Sequence, residues 1–261
     1  MLPVPHTHLT RVFPYRATLP PEVIDLVIDH LHNDPLTLEA CSLVSRNWLS
    51  SSRHHLFGSV YIRVTHRRIH CLGEILDSPR NTLSFHLRSL HATGPPHIYS
   101  QFWKLLHVFP RLQSLHIHRI KMLRGCEPLH LPSISALTLS SVPFSSYREL
   151  ETFLASFPAL KTLTLHDVSC DHDSSLPLYP PRNLARKLSL DVLKMTPIDG
   201  LLNWLRWTGL ALCAPRLDIE FNKMEPAISD YLKAMGTQLQ ALTLRFHGPS
   251  QLGMSLWLPF L

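Results

Sequence analysis

The sequence predicts an α/β chain. A short N-terminal helical unit is followed by an irregular solenoid, with a parallel sheet on its concave side and helices on its convex side. Three observations carry that expectation. A pattern L-x-x-L-x-L recurs through the later part of the 261 residues. Amphipathic helical stretches lie between several of its copies. Residues 19–60 show helical periodicity without that pattern. Composition agrees: 45% hydrophobic and 17% charged residues exclude a disordered chain, and 49 leucines make up nearly one residue in five. Nine glycines against 22 prolines favour short, punctuated elements over a glycine-rich nucleotide-binding fold.

Residues 1–18 form a Pro- and Thr-containing leader without periodicity, expected to be mobile. The segment LPPEVIDLVIDHL then places Val23, Ile24, Val27, Ile28 and Leu31 on one face of a helix. Pro20 and Pro21 suit its first turn, where a missing N–H costs nothing, and Glu22 favours the positive end of the helix dipole. His32-Asn33-Asp34-Pro35 breaks the helix. A second apolar pattern runs through Leu38, Cys41, Leu43, Val44, Trp48 and Leu49, with Asp34 or Thr37 as N-cap. The stretch SSSRHHLFGSVYIRV ends in an alternating run that reads as a strand. Residues 61–82 are expected to hold a linking helix, with Ile69, Leu72 and Leu76 on one face and Gly73 interrupting it.

Residues 83–261 are expected to form about seven repeats. The core pattern reads LRSLHA at 87–92, LQSLHI at 112–117, ISALTL at 134–139, LKTLTL at 160–165 and LQALTL at 239–244. Looser copies are LARKLSL at 184–190 and APRLDI at 214–219. The central positions are Leu90, Leu115, Leu137, Leu163, Leu188, Leu217 and Leu242, spaced by 25, 22, 26, 25, 29 and 25 residues. In a strand, side chains alternate between faces, so both leucines of L-x-L point inward. Stacked copies merge those leucines into one core. Pro110, Pro132 and Pro158 each lie five residues before a central leucine and start its strand. Helical patterns fill 97–109, 146–157, 198–212 and 225–235, and Leu150, Phe153, Leu154 and Phe157 make a buried stripe in the second. The apolar end, SQLGMSLWLPFL, leaves two readings: the chain stops before its natural cap, or these residues pack back as one.

Residues 19–60 resemble the F-box. Its pattern LPxEIL-x2-IL-x2-L is matched by Leu19, Pro20, Glu22, Val23, Ile24, Val27, Ile28 and Leu31. Its LVCxxW is matched by Leu43, Val44 and Trp48, with Ser45 where cysteine is common. Residues 83–247 resemble leucine-rich-repeat proteins, particularly their F-box members, although Ile120, Val142 and Val168 stand where the consensus has an asparagine after the strand. The resemblance implies the substrate-recognition subunit of a Skp–cullin–F-box ubiquitin ligase. The F-box would dock on a Skp-family adaptor, and through it a cullin, while the repeat arc holds an unidentified protein substrate. It further implies a non-catalytic subunit without cofactors. Leu19, Pro20, Ile24, Ile28, Val44 and Trp48 are its expected adaptor contacts or their immediate support. The alternative is a leucine-rich-repeat scaffold or inhibitor outside any ligase, with the helical unit only capping the solenoid.

The expected substrate face consists of residues beside the inward leucines, which face out across the sheet. His116, His118, Thr138, Thr164, His166, Ser189, Asp191, Glu220 and Arg245 are its candidates. Two groups carry metal-ligating residue types: His66, His70 and Glu74 on one helix face, and His166-Asp167 with Cys170-Asp171-His172-Asp173. Neither follows an HExxH or paired CxxC pattern. The chain has no GxSxG, GxGxxG or P-loop motif, so neither catalytic nor metal residues are expected. Cys41, Cys71, Cys126, Cys170 and Cys213 are solitary, which fits reduced thiols. With no N-x-S/T site, no signal-like start and no apolar run of the roughly 18 residues a bilayer span needs, the expected place is the cytoplasm or nucleus. The net charge of +6 is dispersed along the chain, which argues against nucleic acid as the partner.

Overall fold

The computed structural model describes residues 19–79, 81–95, 100–121, 130–170, 188–196, 199–209, 214–221, 226–246 and 254–259. The expected leader, Cys126, Cys213 and the loop carrying Asp171, His172 and Asp173 lie outside them. The protein is α/β with a mostly parallel sheet, and the chain divides after Leu56. That division falls ahead of the expected boundaries at residues 60 and 83. The alternating run Ser59–Arg63 is the first strand of the sheet, and the helix after it connects two sheet strands.

The first unit holds α1 (Pro21–His30), α2 (Pro35–Val44) and α3 (Arg46–Leu56). Pro21 and Pro35 open the first two helices at positions where no backbone donor is lost. Asp34 caps α2: its carboxylate accepts from the Thr37 N–H at 3.1 Å and from the Thr37 hydroxyl at 2.6 Å. These bonds hold the Asp34 carboxyl below its ordinary range, the Thr37 side chain contributing most. Ile24, Ile28, Leu38 and Cys41 form the core, with Leu31, Trp48 and Leu56 packed at its edge. Polar ties join α1 to α3: His55 Nε2 lies 2.8 Å from the Asp29 carboxylate, and the Ser51 hydroxyl donates to Asp25. The expected five-residue face of α1 is only partly inward. Ile24 and Ile28, one turn apart, are buried, while Val23 and Val27 are exposed.

The second unit is built on a nine-stranded sheet whose strands follow one another in chain order. The sheet strands are β1 (Ser59–Arg63), β2 (Ser89–Thr93), β3 (Ser114–His118), β4 (Ala136–Ser140), β6 (Thr162–His166), β8 (Val192–Met195), β9 (Arg216–Phe221), β10 (Ala241–Phe246) and β11 (Met254–Pro259). A separate two-stranded ladder joins β5 (Pro143–Phe144) to β7 (Ser169–Cys170). Neighbouring strands from β1 to β10 pair in parallel. The backbone of β11 pairs antiparallel with β10, so the C-terminal segment packs back along the last parallel strand.

The register explains the repeat. Val60, Leu90, Leu115, Leu137, Leu163, Leu193, Leu217 and Leu242 form one row across eight strands. Six of the seven expected central leucines occupy this row; the fifth does not. Leu193, not Leu188, is in register with Leu163 and Leu217. Backbone pairing decides it, because the N–H groups of Asp191 and Val192 both bond to the Lys161 carbonyl, at 2.7 and 3.1 Å. Leu188 and Leu190 are buried all the same, just ahead of the strand. A second inward row runs from Ile62 and Ala92 through Ile117, Leu139 and Leu165 to Met195 and Ile219.

These rows share one core with the intervening helices α4 (His66–Asp77), α5 (Leu83–His86), α6 (Ser100–Leu106), α7 (Tyr147–Leu154), α8 (Asp199–Thr208) and α9 (Pro226–Met235). Each helix presents its apolar positions at helical spacing: Ile69, Leu72 and Leu76 on α4, and Leu150, Phe153 and Leu154 on α7, with Phe157 just beyond. Ser146 caps α7 by accepting from the Glu149 N–H, while the Glu149 carboxylate accepts from the Ser145 N–H at 2.6 Å. The prolines expected to begin strands sit in a recurring turn. Leu112, Ile134 and Leu160 each donate to the carbonyl of the residue before the proline. At the other strand ends Arg119, Ser141 and Asp167 adopt left-handed backbone conformations, with φ of 56°, 52° and 51°. Ile120, Val142 and Val168 then turn into the core, which is why no asparagine is needed there.

Candidate binding surfaces

The first unit leaves much of its apolar surface uncovered. Ten-residue helices with a core of four side chains cannot bury every apolar residue they carry. Leu19, Val23, Leu26 and Val27 on and before α1, and Leu36, Leu43 and Val44 on α2, are exposed. Leu43 reaches 82% and Val44 67% exposure. Of the expected adaptor contacts, Leu19, Pro20 and Val44 are therefore at the surface. Ile24 and Ile28 are not: they hold the three helices together. Trp48 is half-buried against the same core. Seven exposed large apolar side chains on or just before two ten-residue helices make this the most apolar surface of the first unit's described residues.

The second surface is the outward face of the sheet, laid out in rows by the register. One row reads Tyr61, His91, His116, Thr138, Thr164, Lys194, Asp218 and Thr243 from β1 to β10. The next holds Arg63, Thr93, His118, Ser140 and His166, and Glu220 and Arg245 after them. Seven candidates, His116, His118, Thr138, Thr164, His166, Glu220 and Arg245, thus share this face. Ser189 and Asp191 do not belong to its rows, because both precede β8. The row position expected for Ser189 is filled by Lys194.

The two ends of this face differ in chemistry. At the β1 end the Tyr61, His91 and His116 rings stack in sequence, with centroids 4.2 and 4.1 Å apart and planes inclined by 18° and 21°. Burial within the stack pushes the His91 imidazole below its ordinary value. His116 is lowered by burial first and by the neighbouring His91 charge second. Ser89 supports His91 at 3.3 Å, and Thr93 lies 3.2 Å from His118. At the β10 end Arg245 spans two carboxylates, 3.0 Å from Asp218 and 3.3 Å from Glu220. His166 lies 3.8 Å from Glu220 and 3.1 Å from the Thr196 hydroxyl.

Tyr61, Arg63 and Lys194 also belong to this face. The run SVYIR shows strand alternation, but Val60 stands where the other strands carry the central leucine, so the leucine pattern passes over it. Lys194 was hidden because LARKLSL fits the leucine pattern better than DVLKM does.

Among the described residues no group of three histidine, cysteine, aspartate or glutamate side chains is arranged to hold a metal ion. His70 instead faces Glu74 across 3.5 Å on the exposed side of α4. Cys41 and Cys71 are free thiols. Among the described residues no helix is long and apolar enough to cross a membrane. No protein-family model matches the chain, and no curated protein is significantly similar to it.

Proposed function

We propose that this chain is the substrate-recognition subunit of a Skp–cullin–F-box ubiquitin ligase. Residues 19–56 would act as an F-box that docks on the Skp-family adaptor, and the sheet unit as a leucine-rich-repeat solenoid that holds a target protein. The observation that carries the reading is the exposed apolar surface of α1 and α2, with Leu19, Pro20 and Val44 at expected contact positions. Such a cluster gains most when a partner covers it, at roughly 25 cal/mol for each Å² of apolar surface removed from water. The chain itself would perform no covalent step. It would hold target and ubiquitin donor in one assembly, so that transfer becomes effectively intramolecular.

The test is co-expression with a Skp-family adaptor followed by size-exclusion chromatography. The expected outcome is a stable one-to-one complex. Leu19→Ala with Pro20→Ala is expected to abolish it while leaving the circular dichroism unchanged, since both residues are exposed. A folded chain that ignores the adaptor would overturn the ligase reading and leave a repeat scaffold. Loss of folding in the double variant would assign Leu19 and Pro20 to the fold.

A further inference from the structure

The outward face of the sheet is not uniform, and its asymmetry selects one kind of ligand. The twelve outward positions of β1 to β4 carry six hydroxyl residues, three histidines, Tyr61, Arg63 and Ala136. No carboxylate stands among them. Every polar side chain there is able to donate a hydrogen bond, and the only fixed charge is positive. The β9–β10 end does contain carboxylates, but Arg245 reaches both Asp218 and Glu220. One end of the face thus holds its carboxylates paired to an arginine, while the other offers donors with no acidic side chain among its outward positions.

We propose that the β1–β4 end of this face, centred on the Tyr61–His91–His116 ring stack and Arg63, binds an acidic peptide segment and takes up a proton as it does so. The proposal deepens the reading of the sheet as the target-holding surface and rests on that part of it; it does not depend on adaptor binding. The edge of the site is open, since Tyr61 is 78% exposed on the first strand. Charged or titratable neighbours of the imidazole pair are Tyr61 and Arg63 on β1 and His118 on β3; β4 contributes none in its outward positions. Two imidazoles in face contact repel when both are charged. A carboxylate laid against them supplies the counter-charge and makes protonation favourable. Binding then raises the imidazole pKa values, so affinity increases as pH falls through the bound-state values and levels off below the free-state ones.

The experiment measures fluorescence anisotropy of a labelled peptide of alternating aspartate and alanine with the full chain at pH 8.0 and 6.0. A peptide of alternating lysine and alanine and a single-stranded oligonucleotide serve as competitors for the assignment. The expected result is acidic-peptide binding about tenfold tighter at pH 6.0, with no binding of the lysine peptide. His91→Gln with His116→Gln should remove the pH dependence, and Arg63→Glu should weaken binding about tenfold at both pH values. Equal affinity at the two pH values, no acidic-peptide binding, or tighter binding of the oligonucleotide each overturns the proposal. The wild-type comparison stands without any variant, so a misfolded variant does not rescue or sink it. Adaptor co-elution is read on the same wild-type preparation as peptide binding, so failure of this proposal and failure of adaptor docking are told apart.

Discussion

The two units handle their apolar residues in opposite ways. Among the described residues, the first carries seven exposed large hydrophobic side chains around a core of four buried ones. The second is several times longer, yet among its described residues only Tyr61, Ile75, Phe85, Val108 and Phe246 are exposed large hydrophobic side chains. The difference follows from geometry. In the sheet every strand between the edge strands β1 and β11 lies between two neighbours, so an inward leucine is covered by the adjoining strands and by the helices packed on them. Three short helices share a core of four side chains, and among the described residues Val23, Leu26, Val27, Leu36, Leu43 and Val44 on α1 and α2 stay exposed. A large apolar residue is therefore mostly covered in one unit and more often exposed in the other.

The comparison is broken most directly by truncating one leucine in each unit. Leu163→Ala, in the fully buried row, is expected to cost about 2–5 kcal/mol, read from the shift in a urea unfolding curve. Leu43→Ala, at 82% exposure, should change stability by less than about 0.5 kcal/mol. Comparable losses at the two sites would mean that α2 is covered in the folded chain.

A smaller effect is expected where two helices of the sheet unit meet. A methyl group at Gly200, on α8, would collide with the hydroxyl of Tyr147, whose ring stacks on Trp204 at 5.7 Å. Gly200→Ala should cost about 1–3 kcal/mol in the same unfolding assay. The contrasting position is Gly73. It sits within α4 with open space where a Cβ would be, and Gly73→Ala should raise stability by about 0.5–1 kcal/mol.

The mildest probe is acid. Burial lowers His91 and His116 in the folded chain, so the unfolded chain binds protons first as pH falls. Both imidazoles are neutral in either state well above pH 6.5, and there they do not alter stability. Below about pH 6.5 the sheet unit should lose stability until the folded-state values are passed. Urea midpoints measured across that range in the wild type and in the His91→Gln, His116→Gln variant should converge at high pH and separate in acid.

Much of this structure was legible in consecutive residues. The helix at His66–Asp77 and its buried positions Ile69, Leu72 and Leu76 follow from periodicity, as do Leu150, Phe153 and Leu154. The row of central leucines was readable wherever pattern and strand coincide. It failed at Leu188 because Leu188, Leu190 and Leu193 are all buried, and burial preference cannot choose among them. The same ambiguity misplaced Ser189 and hid Lys194. In α1, five apolar residues shared one predicted face, yet only Ile24, Ile28 and part of Leu31 pack inward.

The sequence by itself determined the elements: helix periodicity, the alternation of L-x-L strands, the prolines that open turns and the repeat spacing near 25 residues. Each is set by interactions among residues a few positions apart, so a linear pattern records it. The tertiary structure alone decided which leucine pairs with Leu163, which side of α1 stays in water, and that Tyr61, His91 and His116 meet in one stack. Those three rings come from separate strands brought into register by backbone hydrogen bonds. No local pattern encodes that register, because it depends on partners tens of residues away.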